Sequence, residues 1–167
     1  MNSPTIALDT ESFIGLLNSF NLSSRALKVV SQFIPDSAEV TGTSITFDQS
    51  YRSVEHTLDE VALSAKESNW DGYGAEPVKE ISIFFAKSFL HNLPSTYPKP
   101  EVSVDPDGEI SFEWLNKNDK IFSVSFNQEN EISFAGIYST GEDHGTEEFN
   151  GYEIPKKILE NIKRLSL

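Results

Sequence analysis

Val102-Ser103-Val104-Asp105-Pro106-Asp107-Gly108-Glu109-Ile110-Ser111-Phe112-Glu113-Trp114 carries the reading of the fold. Apolar and polar residues alternate on both sides of a Pro-Asp-Gly turn signal, the pattern of a β-hairpin with one face turned to a core. Working forward, Asn116 to Asp119 reads as a second turn. Phe122, Val124 and Phe126 then alternate with Ser123 and Ser125, Asn127 to Asn130 turns again, and Ile132 and Phe134 alternate with Ser133 and Ala135. Four strands joined by three short turns predict an antiparallel meander, oily on one face and Ser-, Glu- and Asp-rich on the other.

Working backward, the period lengthens to that of a helix. Val54, Leu58, Val61, Ala62 and Ala65 mark a helix near 53–67; Ile81, Phe84, Phe85, Ser88 and Phe89 mark another, with Pro77 expected in its first turn and the Pro94, Pro98 and Pro100 cluster beyond its end. A last helix starts at Pro155 and aligns Ile158, Leu159, Ile162 and Leu165, with Lys163 and Arg164 near its C-terminus, where cations are favoured. In residues 1–50, Thr10 opens a helix with Phe13, Leu16, Leu17 and Phe20 on one face. A second helix after Ser23 or Ser24 aligns Ala26, Val29, Val30 and Phe33, and Val40 to Phe47 reads as a strand or hairpin. The expected architecture is α+β: an antiparallel meander of about four strands with helices packed on one face (residues 51–167), plus an N-terminal helical appendage (residues 1–50).

The 167 residues carry 26 Asp and Glu against 13 Lys and Arg, a net charge of −13, and the imbalance is local. Residues 101–153 hold 13 acids and 2 bases, whereas the last 14 residues hold 1 acid and 4 bases. A field of that sign repels nucleic-acid phosphates and favours a basic partner surface. With no Cys there is neither a disulfide nor a thiolate metal site, and His56, His91 and His144 lie in different elements without ligand spacing. His144 sits in an acidic stretch, Glu142 to Glu148, that reads as a flexible loop. No apolar run approaches the length of a membrane span, and the first residues lack the pattern of a secretion signal, so a cytoplasmic address is the expectation.

Asn69-Trp70-Asp71-Gly72-Tyr73-Gly74-Ala75 places two aromatics, an acid and two glycines between helices. It reads either as a binding lip, with Trp70 and Tyr73 as contacts and Asp71 as acceptor, or as a self-contained turn with Trp70 in the core. Asp105 to Glu109 offers oxygen atoms, but position 12 of a calcium loop counted from Asp105 is Asn116, so a hairpin turn fits better. Glu109 and Glu113, with Ser111 between them, lie on one strand face. Without a cleft to shift their pKa values they read as solvated charges rather than an acid–base pair.

That loop string, a helix ending F-L-x-x-L-P, and P-x-P-E-V-x-x-D-P-D-G-E-I-x-F-E-W together resemble a widespread group of small bacterial proteins found in phages, mobile elements and chromosomes. The resemblance runs from about Val54 to Leu165, continues through F-A-G, and implies no particular activity. There is no G-x-S-x-G elbow, P-loop or dinucleotide fingerprint, and no cofactor is expected. The function expected is therefore a non-catalytic acidic interaction factor, such as an inhibitor, an antitoxin or immunity protein, or a phage counter-defence protein. Its basic partner is itself a candidate nucleic-acid-binding protein, engaged in one version by nucleic-acid mimicry. The expected contact residues are Asp105, Asp107, Glu109, Glu113, Glu129, Glu131, Glu142 and Asp143 on the acidic region, with Trp70, Asp71 and Tyr73 on the loop. Two rivals remain: a small enzyme or ligand-binding protein with its site at Trp70–Ala75, using Asp71, Tyr73 and Glu76, and a self-associating scaffold, for which a homodimer is the simplest form.

Overall fold

The computed structural model describes residues 51–116 and 120–165. The two helices and the strand expected within residues 1–50 lie outside this range. Two helices, α1 (Arg52–Ser64) and α2 (Glu80–Asn92), precede a five-stranded sheet, and a third helix, α3 (Lys156–Arg164), closes the chain. The strands β1 (Glu101–Val104), β2 (Ile110–Leu115), β3 (Ile121–Phe126), β4 (Glu131–Tyr138) and β5 (Gly141–Glu148) pair antiparallel in chain order.

The period-two alternation sets the register. Phe112 faces Val124, which faces Phe134, so each strand adds its large residues to one inner face. α2 supplies the wedge that fills it. The Phe89 ring centroid lies 5.9 Å from Phe112, 6.3 Å from Trp114, 5.4 Å from Phe126 and 5.9 Å from Phe149. Most of these pairs are edge-to-face, the geometry in which the positive ring edge meets the negative face. Trp114 stacks on Phe122 at 5.8 Å and donates its indole N–H to the Pro98 carbonyl at 2.8 Å, so the polar end of a buried side chain is satisfied. α1 lies against β1 and α2, and joins α2 through Asp59–Lys87 at 2.7 Å and Glu55–His91 at 2.5 Å.

α3 closes the inner face against β4, burying Ile158, Ile162 and Leu165. The Tyr138 hydroxyl donates to Asn161 Oδ1 at 3.0 Å, and the Arg164 guanidinium lies 3.8 Å over the Tyr138 ring. Burial pushes the Tyr138 hydroxyl pKa up to about 12, so it stays a donor across the physiological range. Two of the glycines at this end, Gly136 and Gly145, are covered by neighbouring rings. Tyr138 folds back over Gly136, and Phe134 covers Gly145, where an added Cβ would meet ring carbons at 3.2 Å.

Two expectations are corrected. The acidic stretch Glu142–Glu148 is not a flexible loop but the fifth strand, with Tyr138 opposite Gly141 across a two-residue turn. Its inward positions are Gly141, Asp143, Gly145 and Glu147, so no apolar alternation marks it, and the backbone ladder to β4 holds it instead. Pro77 is not in the first turn of α2. The helix begins at Glu80, preceded by Lys79 in an extended conformation.

Phe89→Ala should therefore cost about 3–5 kcal/mol of stability, since four ring contacts are lost around one cavity. Leu63→Ala, at an exposed position of α1, should cost within about 0.5 kcal/mol. Urea unfolding of the two variants checks the contrast.

Candidate interaction surface

The two stretches most distinctive in sequence are joined in space. Within Asn69–Ala75 the backbone is closed on itself: the Asn69 N–H donates to the Ala75 carbonyl at 2.7 Å, and the Gly72 N–H to the Asn69 carbonyl at 3.0 Å. Side chains lock it further. Asp71 Oδ1 accepts from the Tyr73 and Ala75 N–H groups at 2.8 and 3.1 Å, and Asn69 Oδ1 accepts from Gly74 at 2.7 Å. Positive φ values of 61° at Asn69, 79° at Gly72 and 99° at Gly74 make this closure feasible. The Tyr73 and Ala75 N–H groups hold the Asp71 carboxyl below its usual range.

Trp70 is half-buried and donates its indole N–H to the Glu76 carbonyl at 2.9 Å. From there the chain docks on the β1–β2 turn: the Glu76 N–H donates to the Pro106 carbonyl and the Lys79 N–H to the Gly108 carbonyl, both at 2.8 Å. Gly108 has φ +82°, and a Cβ there would lie 2.3 Å from the Pro77 carbonyl oxygen. Only a glycine lets the turn approach this closely. Among Trp70, Asp71 and Tyr73, then, Trp70 and Asp71 are largely used in shaping the loop, and Tyr73 is the one offered to solvent, 95% exposed.

The outer face of the sheet is ordered in rows running across the strands. One row is hydroxyl: Ser103, Ser111, Ser125, Ser133 and Thr146 lie opposite one another on the five strands. A second holds Glu101, Glu113, Ser123, Ala135 and His144. A third is apolar, with Leu115 opposite Ile121 and Ile121 opposite Ile137, ending on Glu142 of β5. At the opposite end lie Asp105, Glu109, Asn127 and Glu131, linked by the Asp105 N–H to the Glu109 carbonyl and the Asn127 N–H to the Glu131 carbonyl, with Glu148 facing Glu131. Seven carboxylates thus share this face.

Their environments differ. Asp105 Oδ2 accepts from the Ser125 hydroxyl at 3.0 Å and from that of Ser111, which is buried; these bonds hold Asp105 across the hairpin. Glu109 is not the solvated charge expected from sequence. The 76–79 segment packed beside it desolvates its carboxyl and, together with the nearby Asp107 charge, raises its pKa, opposed by Lys79 with Nζ 3.7 Å away. Asp107 lies in the β1–β2 turn, where Oδ1 accepts from the Glu109 N–H at 3.1 Å, and Glu129 is exposed in the β3–β4 turn. Glu113, Glu131 and Glu142 stand on the outer face.

Asp143 does not join them. Its position on β5 points it to the helix side, where Lys157 and Arg164 lie 2.6 and 3.3 Å away and, with Lys157 foremost, hold its carboxyl below the usual range. His144, opposite Ala135, is on the outer face instead. The strand parity that separates these neighbours is invisible until β5 is recognised as a strand. Sequence reading also missed the apolar row, because Leu115 and Ile137 lie on strands whose other apolar residues mostly face the core. Among the described residues no three His, Asp or Glu side chains converge as a metal site would require, and no helix is long and apolar enough to cross a membrane. Compared with known protein families, characterised proteins and solved structures, the chain matches none.

Two predictions follow from this geometry. Gly72→Ala meets open space and should cost only the backbone strain of a positive φ, about 1–2 kcal/mol. Gly108→Ala adds a clash with the Pro77 backbone and should cost at least about 1 kcal/mol more, read by thermal unfolding of both. Glu109→Gln should stabilise the protein at neutral pH. A carboxyl with a raised native pKa binds its proton longer when folded, so stability falls as pH rises above the ordinary value of 4.5 through the native pKa. The gain from the variant should be present at pH 7 and vanish below the ordinary value; a constant difference at every pH would contradict it.

Proposed function

We propose that this protein is a non-catalytic interaction factor that uses the outer face of its sheet to engage a basic partner surface. One observation supports the reading most: Glu101, Asp105, Glu109, Glu113, Glu131, Glu142 and Glu148 share one face that carries no Lys or Arg at any described strand position. The cations of the described C-terminal helix are turned elsewhere, with Lys157 and Arg164 tied to Asp143. With Lys79 paired to Glu109 at one end, the face is predominantly negative, and such a face accelerates encounter with an oppositely charged surface and penalises like-charged competitors. An inhibitor, antitoxin or counter-defence role, including mimicry of a nucleic acid toward a protein that binds one, fits that electrostatics.

The test is a pull-down with the tagged full chain from nuclease-treated lysate of the source cell, eluted by a salt gradient. A stoichiometric partner should leave at moderate salt and be lost from Glu113→Lys/Glu131→Lys; both positions are half-buried, and an unchanged circular-dichroism spectrum verifies that the variant folds. A clean bait, or a partner indifferent both to salt and to charge reversal, would sink the reading.

A second reading, a small-ligand or enzymatic site at the loop–hairpin junction, is favoured by one observation: the raised pKa of Glu109 beside Lys79 and the Trp70–Glu76 loop. Its mark would be a small molecule that raises the melting temperature of the native protein but not of Glu109→Gln.

A further inference from the structure

We propose that Leu115, Ile121 and Ile137 form the anchoring seat for a cationic amphipathic helix of the partner. The inference rests on the acidic-face reading and names the kind of segment that face takes. Leu115 and Ile137 are 56% and 54% exposed, the two most exposed large aliphatic side chains of the sheet, and Ile121 lies between them in the register. Three aliphatic side chains on adjacent strands make one continuous patch, and a patch that stays in water costs solubility unless something covers it.

Charge identifies the occupant. Glu113 stands two residues from Leu115 on the same face of β2, Glu101 is opposite Glu113, and Glu142 is opposite Ile137. An apolar row bordered by three carboxylates is complementary to apolar residues flanked by Lys or Arg. A second copy of this chain, with net charge −13, is a poor match by the same measure.

Geometry identifies its form. Three neighbouring strands spaced about 4.8 Å apart set the row's outer members about 10 Å apart. On an α-helix, positions i, i+4 and i+7 span about 10 Å along the axis. A helix lying across the strands therefore seats one apolar side chain beside each of Leu115, Ile121 and Ile137. Cations on its flank then reach Glu101 and Glu113. An extended strand laid the same way spans about 3.3 Å per residue and turns alternate side chains away, which gives a poorer match to three strands.

The probe is a synthetic 14-residue peptide with leucines at i, i+4, i+7 and i+11, lysines beside them and alanine or glutamine elsewhere, titrated into the full-length protein. A same-composition isomer with the leucines scattered serves as comparison. Backbone amide shifts of the isotope-labelled chain locate binding, and calorimetry measures it. The amphipathic peptide should shift residues around 113–115, 121 and 137, bind at least tenfold tighter than its isomer, and lose about tenfold in affinity with Leu115→Ser/Ile137→Ser. Both substituted side chains are exposed, and an unchanged amide spectrum elsewhere verifies the fold. Equal binding of the two peptides, or indifference to the double substitution, would overturn the seat while leaving the acidic-face reading standing, because that reading requires only charge. Loss of the lysate partner on Leu115→Ser/Ile137→Ser but not on Glu113→Lys/Glu131→Lys would do the reverse. A homodimer in light scattering that Ile137→Ser dissociates would assign the patch to a second copy and overturn the proposal.

Discussion

The packing of α2 on the sheet centres on one ring. Phe89 of α2 touches Phe112, Trp114, Phe126 and Phe149, which come from two strands and the segment leading to α3. A twisted sheet with one oily face is unstable in water until something covers that face, and an aromatic wedge buries more area per ordered residue than an aliphatic one. Because α2 must sit where Phe89 meets the strands, its start is placed beside the β1–β2 hairpin. There the Ile110 N–H donates to Ser82 Oγ at 2.6 Å. The incoming segment 76–79 then has little choice but to run along the hairpin turn.

That packing requirement divides the molecule into an apolar inner face and a polar outer one. On the inner side nearly every strand position is apolar or filled by a neighbour's ring, and even the charged Asp143 is neutralised by Lys157 and Arg164 of the covering helix. On the outer side hydrogen bonding takes the place of apolar packing. There the Ser111 and Ser125 oxygens are 2.5 Å apart and both hydroxyls bond Asp105, while Glu101, Glu142 and Glu148 are exposed to water. The outer face thus sets a concentration of carboxylates beside an aliphatic row in which Leu115 and Ile137 are exposed.

Glu109 and Tyr73 show two consequences of docking the loop on the hairpin. Docking the loop against the hairpin desolvates Glu109, a small sacrifice in stability at neutral pH. The same docking, with the turn bonds of Asn69 and Asp71, presents Tyr73 to water on a fixed backbone. A tyrosine held in this way loses little freedom when it meets a partner, which lowers the entropic penalty of contact.

The sequence by itself determined the α+β class, the meander, the positions of α1, α2 and α3 to within a few residues, and the acidity of residues 101–153. All of these follow from local periodicity and composition, because an element with one buried face must write that face into its residues. It did not determine β5, whose inward positions are glycine and acid. An edge strand supported by a backbone ladder and a neighbour's rings has no need of apolar alternation. Nor did it determine that Asn69–Ala75 and Asp105–Glu109 meet, that Asp143 turns from Glu142 to opposite sides of the sheet, or that Leu115, Ile121 and Ile137 line up. Contacts between residues tens of positions apart depend on strand register and on where the Phe89 wedge seats the helix. Only the tertiary structure decides those, since register is a relation between strands and not a property of any one of them.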